Sequence, residues 1–170
     1  NVGGRTRGVW VDPRDPTHRT WIVGSAGGGL WKTADAGENW SIISDDFSNL
    51  SVTTLAGSAA DPLVIYAGTG EGFNSRMVKG SGVWKSVDGG TTWSLLNSTT
   101  SETEFANVMR IVVDPADPDV ALVATRVDLR IDVPEDSPQV VSHLLKTVDG
   151  GETWEIVYQT EDTDAGVFGP

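Results

Sequence analysis

Cysteine is absent from all 170 residues, so the chain has no disulfide framework, no thiolate metal site and no cysteine nucleophile. Histidine is nearly absent. His18 and His143 form no H-x-x-H pair and lie in no Ser/His/Asp context, so both read as structural. No apolar run approaches the roughly 18 residues of a membrane span, which argues against membrane insertion. The N-terminus lacks the basic-plus-apolar pattern of a signal peptide and reads as mature or internal. Amphipathic helical periodicity is missing too: no segment repeats its apolar residues every 3.6 positions over a dozen residues, so almost no helix is predicted. Positive charge is scarce, with 12 Lys and Arg against 24 Asp and Glu and a net charge of −12. Such a surface disfavours nucleic acid and anionic membranes, and fits solubility in a saline or extracellular setting. The glycine-rich GTGEG at 68–72 follows a strand but precedes another strand, so no helix N-terminus follows to receive a phosphate. No cofactor and no metal site are expected.

What the chain does have is a nonamer written three times: KTADAGENW at 32–40, KSVDGGTTW at 85–93 and KTVDGGETW at 146–154. The copies start 53 and then 61 residues apart (85 − 32 and 146 − 85), a period that points to stacked supersecondary units. An Asp-Pro pair precedes each copy, at Asp12-Pro13, Asp61-Pro62 and Asp114-Pro115. Four short runs rich in Val, Ile, Leu, Thr and Trp surround each pair and nonamer, bounded by Gly, Pro, Asp and Asn. That is strand composition. Each unit therefore reads as four antiparallel strands, A to D, and repeated units of this kind make the blades of a β-propeller.

The nonamer has a local task. Ala36-Gly37, Gly89-Gly90 and Gly150-Gly151 supply the backbone freedom for positive φ in a tight C–D turn. Asp35, Asp88 and Asp149, with Thr33, Ser86 and Thr147, offer oxygens to the turn amides. Trp40, Trp93 and Trp154 are expected to fold back over the turn and bury apolar surface between neighbouring blades.

The pattern S/T-x-D-x-G-x-x-W resembles the Asp-box, or BNR repeat, of sialidases, sortilin-type receptors, xyloglucan-degrading enzymes and photosystem assembly factors. NVGGRTRGVWVDP at the start and YAGTGEGFNSRMVKGSGVWKSVDGG at 66–90 are similar to a subgroup of secreted bacterial proteins with sortilin-like propellers, often upstream of a C-terminal sorting module. The resemblance implies an all-β Asp-box propeller, a secreted or cell-surface bacterial location, and a box that is structural and remote from the ligand site. On that reading residues 1–48, 49–100 and 101–160 form three blades, and 161–170 begin a further one. Propellers close with about four to eight blades, so three are expected to be completed by the remainder of a longer chain or by other subunits.

Function is expected on the face opposite the nonamers, in the B–C loops, because binding residues favour loops on a rigid scaffold. These loops are unequal: SAGGG at 25–29, GTGEGFNSRMVKGSG at 68–82, and about 126–142 in the third unit. Loops longer than about 12 residues are commonly functional or disordered. The second loop carries Glu71, Phe73, Asn74, Arg76 and Lys79, an aromatic face with hydrogen-bonding groups suited to sugar or peptide; it equally fits a solvated hairpin extension. In the third, alternation of Val127, Leu129, Ile131 and Val133 with polar residues predicts strands that continue past the blade as an arm. Arg5, Arg7 and Arg110 lie near the innermost strands, where they face either an anionic ligand or the surplus acids.

A binding or scaffold module for protein or glycan is the function these features favour. The alternatives are a glycoside hydrolase, xyloglucanase- or sialidase-like, with catalytic carboxylates partly outside this segment, and a purely structural assembly subunit. Glu71, Asp128 and Asp132 lie on the face where a carboxylate pair would act. The Arg-Ile-Pro signature that precedes sialidase boxes is missing, and nothing marks a Tyr/Glu nucleophile pair, so no catalytic residue is assigned.

Overall fold

The computed structural model of the protein describes residues 4–72, 78–100, 104–128 and 140–162. Twelve strands form three four-stranded antiparallel sheets. The first sheet contains β1 (Arg5–Val11), β2 (Trp21–Ala26), β3 (Gly29–Thr33) and β4 (Ser41–Ile42). The second contains β5 (Val52–Gly57), β6 (Ile65–Thr69), β7 (Val83–Ser86) and β8 (Ser94–Leu95). The third contains β9 (Val108–Val113), β10 (Ala121–Asp128), β11 (Val140–Thr147) and β12 (Glu155–Asp162). Strand order follows chain order in every sheet. Among the described residues the only helical turn is the 3-10 segment Asn97–Thr99. The chain is all-β, and its sheets are propeller blades: β5 packs against both β1 and β9, which brings the first strand of each blade together at a common inner side.

Alternation along β6 shows how the blades adhere. Successive strand side chains point to opposite faces. Ile65 and Ala67 therefore join a buried cluster with Ile22, Leu30 and Val52 on the first-blade side. Tyr66 joins Val108, Ile111 and Val123 on the third-blade side, and its hydroxyl donates to the Pro118 carbonyl at 2.9 Å. One apolar seam thus fills each gap between blades. Close approach is needed at the inner strands, and Gly68 permits it, since a Cβ there would overlap Val108.

The nonamer turns behave as their chemistry dictates. In each, the Ser or Thr hydroxyl donates to the aspartate, at 2.7 Å for Thr33–Asp35, 2.8 Å for Ser86–Asp88 and 2.7 Å for Thr147–Asp149. The same hydroxyl accepts the backbone N–H of Gly37, Gly90 or Gly151 at 2.9 Å. Each aspartate accepts the amide four residues on, from Asn39, Thr92 and Thr153. Ala36 takes a positive φ of 61° where the other copies use Gly89 and Gly150 at 74°; a Cβ in that region costs about 1 kcal/mol.

The tryptophans divide two to one. Trp93 meets Phe47 edge-on at 6.0 Å, within the seam between the first two blades. Trp154 meets Phe105 at 5.5 Å, between the second and third. Trp40 has only one side of such a seam among the described residues. It leans on Trp21 at 6.5 Å, on the face of the first blade turned away from the second, where no described sheet covers it. His143 is the fourth residue of β11, which starts at Val140. The third blade's central strands extend to Asp128 and from Val140, eight residues each, against five or six in β2 and β6. The rest of the expected arm, including Leu129, Ile131 and Val133, lies outside the described residues.

Candidate functional site

The two faces of the blades are distinct. Backbone bonds from Ala36 to Arg19, Gly89 to Leu63 and Gly150 to Asp119 place the A–B and C–D turns on one face. The opposite face carries the B–C loops and the beginnings of the inner strands, as the pairing of Arg5 with Ala26 shows.

Each inner strand is irregular at one position. Register slips by a residue between Thr6 and Gly8 in β1 and between Val52 and Thr54 in β5; in β9, Val108 pairs with Thr125 and Arg110 with Ala124. The residues at the register shifts are Arg7, Thr53 and Met109, one per blade. Such bulges bend the strand and re-aim side chains, and they recur beside functional sites. Here they border a cavity of about 290 Å³ lined by Arg7, Thr53, Thr54, Met109 and Arg110 among others. The floor is stitched together by threonines. The Thr53 hydroxyl donates to the Val108 carbonyl at 2.6 Å, and the Thr54 hydroxyl accepts the Ile111 amide at 3.2 Å.

Three of the residues singled out in the sequence meet here. Glu71 is buried, and its Oε1 forms an ion pair with Arg5 and lies 3.5 Å from Nη2 of Arg7. Its backbone closes a small bridge with Val78, at 2.7 and 3.0 Å. Glu71 thus faces two guanidinium groups from the first blade and acts as their counter-ion. Arg110 is exposed, and among the described residues it takes part in no ion pair. Phe73, Asn74, Arg76 and Asp132 lie outside the described residues, and Asp128 closes β10. Among the described residues no group of three or more His, Asp or Glu is placed to hold a metal ion.

Two anchoring residues escaped the sequence reading. Arg126 donates from Nη1 to the Gly72 carbonyl at 2.6 Å, tying the second blade's loop to the third blade. Its backbone exchanges bonds with Asn107, at 3.0 Å between main chains and 3.2 Å from the Asn107 side chain. Neither carries a local signal: Arg126 acts across a blade boundary, and Asn107 meets it from 19 residues away.

The nonamer aspartates differ in character from this cluster. The Asn39 amide, then the Thr33 hydroxyl, hold Asp35 down to about 2. For Asp88 burial pushes upward, but the Thr92 hydroxyl and amide with Ser86 outweigh it, again leaving about 2. Thr153 keeps Asp149 well below the usual carboxylate range. All three are ionised acceptors fully occupied by their own turn.

Among solved structures the chain is similar to an ancestral GH74 enzyme, with a TM-score of 0.67 and 19% identity over 95% of this chain and 19% of that one. It is also similar to YCF48 bound to D1 peptide (TM-score 0.60, 11% identity, 91% of this chain and 41% of that one). YCF48 from Cyanidioschyzon merolae gives a TM-score of 0.59 at 17% identity, over 96% and 42% of the two chains. The chain therefore spans about a fifth of the GH74 enzyme and about two fifths of YCF48. These likenesses show the propeller fold. No protein-family model matches the chain, and no curated protein sequence matches it.

Proposed function

We propose that this chain forms three blades of a secreted or cell-surface Asp-box propeller of sortilin-like type, which binds a protein or glycan ligand without turning it over. The remaining blades come from the rest of a longer chain or from partner subunits. One observation carries the reading: Arg7 and Arg110, from the first and third blades, line one cavity in a protein whose net charge is −12. Guanidinium groups on a threonine-rich floor suit a carboxylate, which a peptide or an acidic sugar supplies. Glu71 holds Arg5 and Arg7 in place, leaving Arg110 to meet the incoming anion. A peptide ligand has support in the YCF48 structure, which is described as bound to D1 peptide.

Calorimetric titration with short peptides bearing a free C-terminal carboxylate, and with their amidated forms, tests this. The carboxylate forms are expected to bind, and Arg110→Gln to weaken them without shifting the melting temperature. Release of reducing sugar from a polysaccharide panel would replace the reading with a hydrolase. A stable homo-oligomer indifferent to every peptide and glycan would replace it with a structural assembly.

A further inference from the structure

The three blades share one plan but differ at the outer rim. The outermost strands β4 and β8 are two residues long, whereas β12 runs eight residues. One edge of β12 pairs with β11 from Lys146 back to Val140; the other has no strand partner among the described residues. Residues 155–160 are all exposed, with Ile156 at 44%, Val157 at 45% and Tyr158 at 62%. A long edge of this kind presents a row of unpaired N–H and C=O groups, which proteins ordinarily blunt by shortening the strand, adding a bulge or adding charge. The first two blades are blunted by brevity. In the third a register slip falls at Val157, and regular pairing resumes from Tyr158 to Asp162.

Position leaves this edge open among the described residues. Blades adhere through the faces of their sheets, around β1, β5 and β9, so the outer edge of β12 stays peripheral however many blades complete the ring. It is also at the opposite end of the sheet from the cavity lined by Arg7 and Arg110.

The geometry points to β12 as a docking strand that takes an extended, lysine- or arginine-bearing segment of a partner protein by strand addition. Main-chain hydrogen bonds supply the affinity, and the exposed Ile156 and Tyr158, set on opposite faces by the register slip at Val157, give the added strand apolar neighbours on both sides. Charge selects the partner. The charged residues of β12 are Glu155, Glu161 and Asp162, all acidic, in a chain of net charge −12. A second copy is disfavoured because it brings the same acidic strand and the same net charge of −12 to the contact.

The test uses a fluorescein-labelled octapeptide, Thr-Lys-Val-Lys-Val-Lys-Thr-Val, followed by anisotropy. Saturable binding that weakens as salt rises is expected, together with slowed hydrogen exchange at β12 amides. N-methylation of alternate peptide amides along one edge is expected to cut affinity at least about tenfold, since it removes the bonding donors. Tyr158→Lys, an exposed change that leaves the fold intact, is expected to weaken the peptide as well. The proposal is overturned if the peptide fails to bind, or if a Glu-for-Lys peptide or the N-methylated peptide binds equally. A β12-mediated dimer in light scattering would overturn it too.

Discussion

Nζ of Lys85 in the second blade donates to the carbonyl of Gly150 in the third, at 2.9 Å, and Lys32 reaches from the first blade to Gly89 in the second at 3.3 Å. Donor and acceptor occupy the same two nonamer positions in both cases. The motif that closes a hairpin therefore also ties each blade to its successor. Lys85 is further held by Asp119 at 3.4 Å and sits over the Tyr66 ring at 5.1 Å. Lys146, third in the series, is exposed.

Replacing Lys85 with methionine keeps the aliphatic stem and removes the donor. Lys85→Met is expected to cost about 1.5–3 kcal/mol, the net worth of a bond from a charged group, in a urea melt. Lys146→Met, with no described acceptor in the next blade, is expected to stay within about 0.5 kcal/mol.

The tryptophans are expected to rank by their neighbours and not by their motif. Trp93→Ala and Trp154→Ala each remove an aromatic from an inter-blade seam, and a loss of about 3 kcal/mol is expected in denaturant unfolding. Trp40→Ala removes a ring that touches mainly Trp21, and is expected to cost clearly less. Equal losses at all three positions would show that Trp40 is covered as fully as the others.

Acid should loosen the turns in a defined window. Asp35 and Asp88 have folded values of about 2 against an ordinary 3.8. A depressed folded value means stabilisation that is fully present above about pH 4 and is lost as pH falls through about 2. Asp88→Asn is expected to lower stability at neutral pH and to flatten its fall between pH 4 and 2. Melting curves at half-unit pH steps check this.

Glu71→Gln separates the two roles of the arginine cluster. Loss of the buried carboxylate is expected to destabilise the chain by about 1.5–3 kcal/mol, the scale of a charged hydrogen bond. With the carboxylate charge removed, Arg5 and Arg7 are expected to attract carboxylate peptides more strongly in the same calorimetric assay. Weaker binding would place Glu71 on the ligand side of the site.

Much of the fold could be read from the chain because its signals are short in range. An Asp, a Ser or Thr and a Gly within nine residues define the turn, since the bonds they make close within four residues of the aspartate or hydroxyl. Short β-branched runs bounded by Gly and Pro are strands for equally local reasons, and repetition then implies blades. Trp40 shows where this ends: its motif matches Trp93 and Trp154, yet the surroundings of each ring come from a different blade.

The candidate site depended on the tertiary structure. Arg5 and Glu71 are 66 residues apart and meet only because β1 packs beside β5. The bulges at Arg7, Thr53 and Met109 are properties of register between strands, which no single strand encodes. Local chemistry, written in bonds a few residues long, settled the hairpins. The cavity, the ion pairs around Glu71 and the open rim at β12 arose only when distant strands were brought into register, because each depends on which backbone lies alongside which.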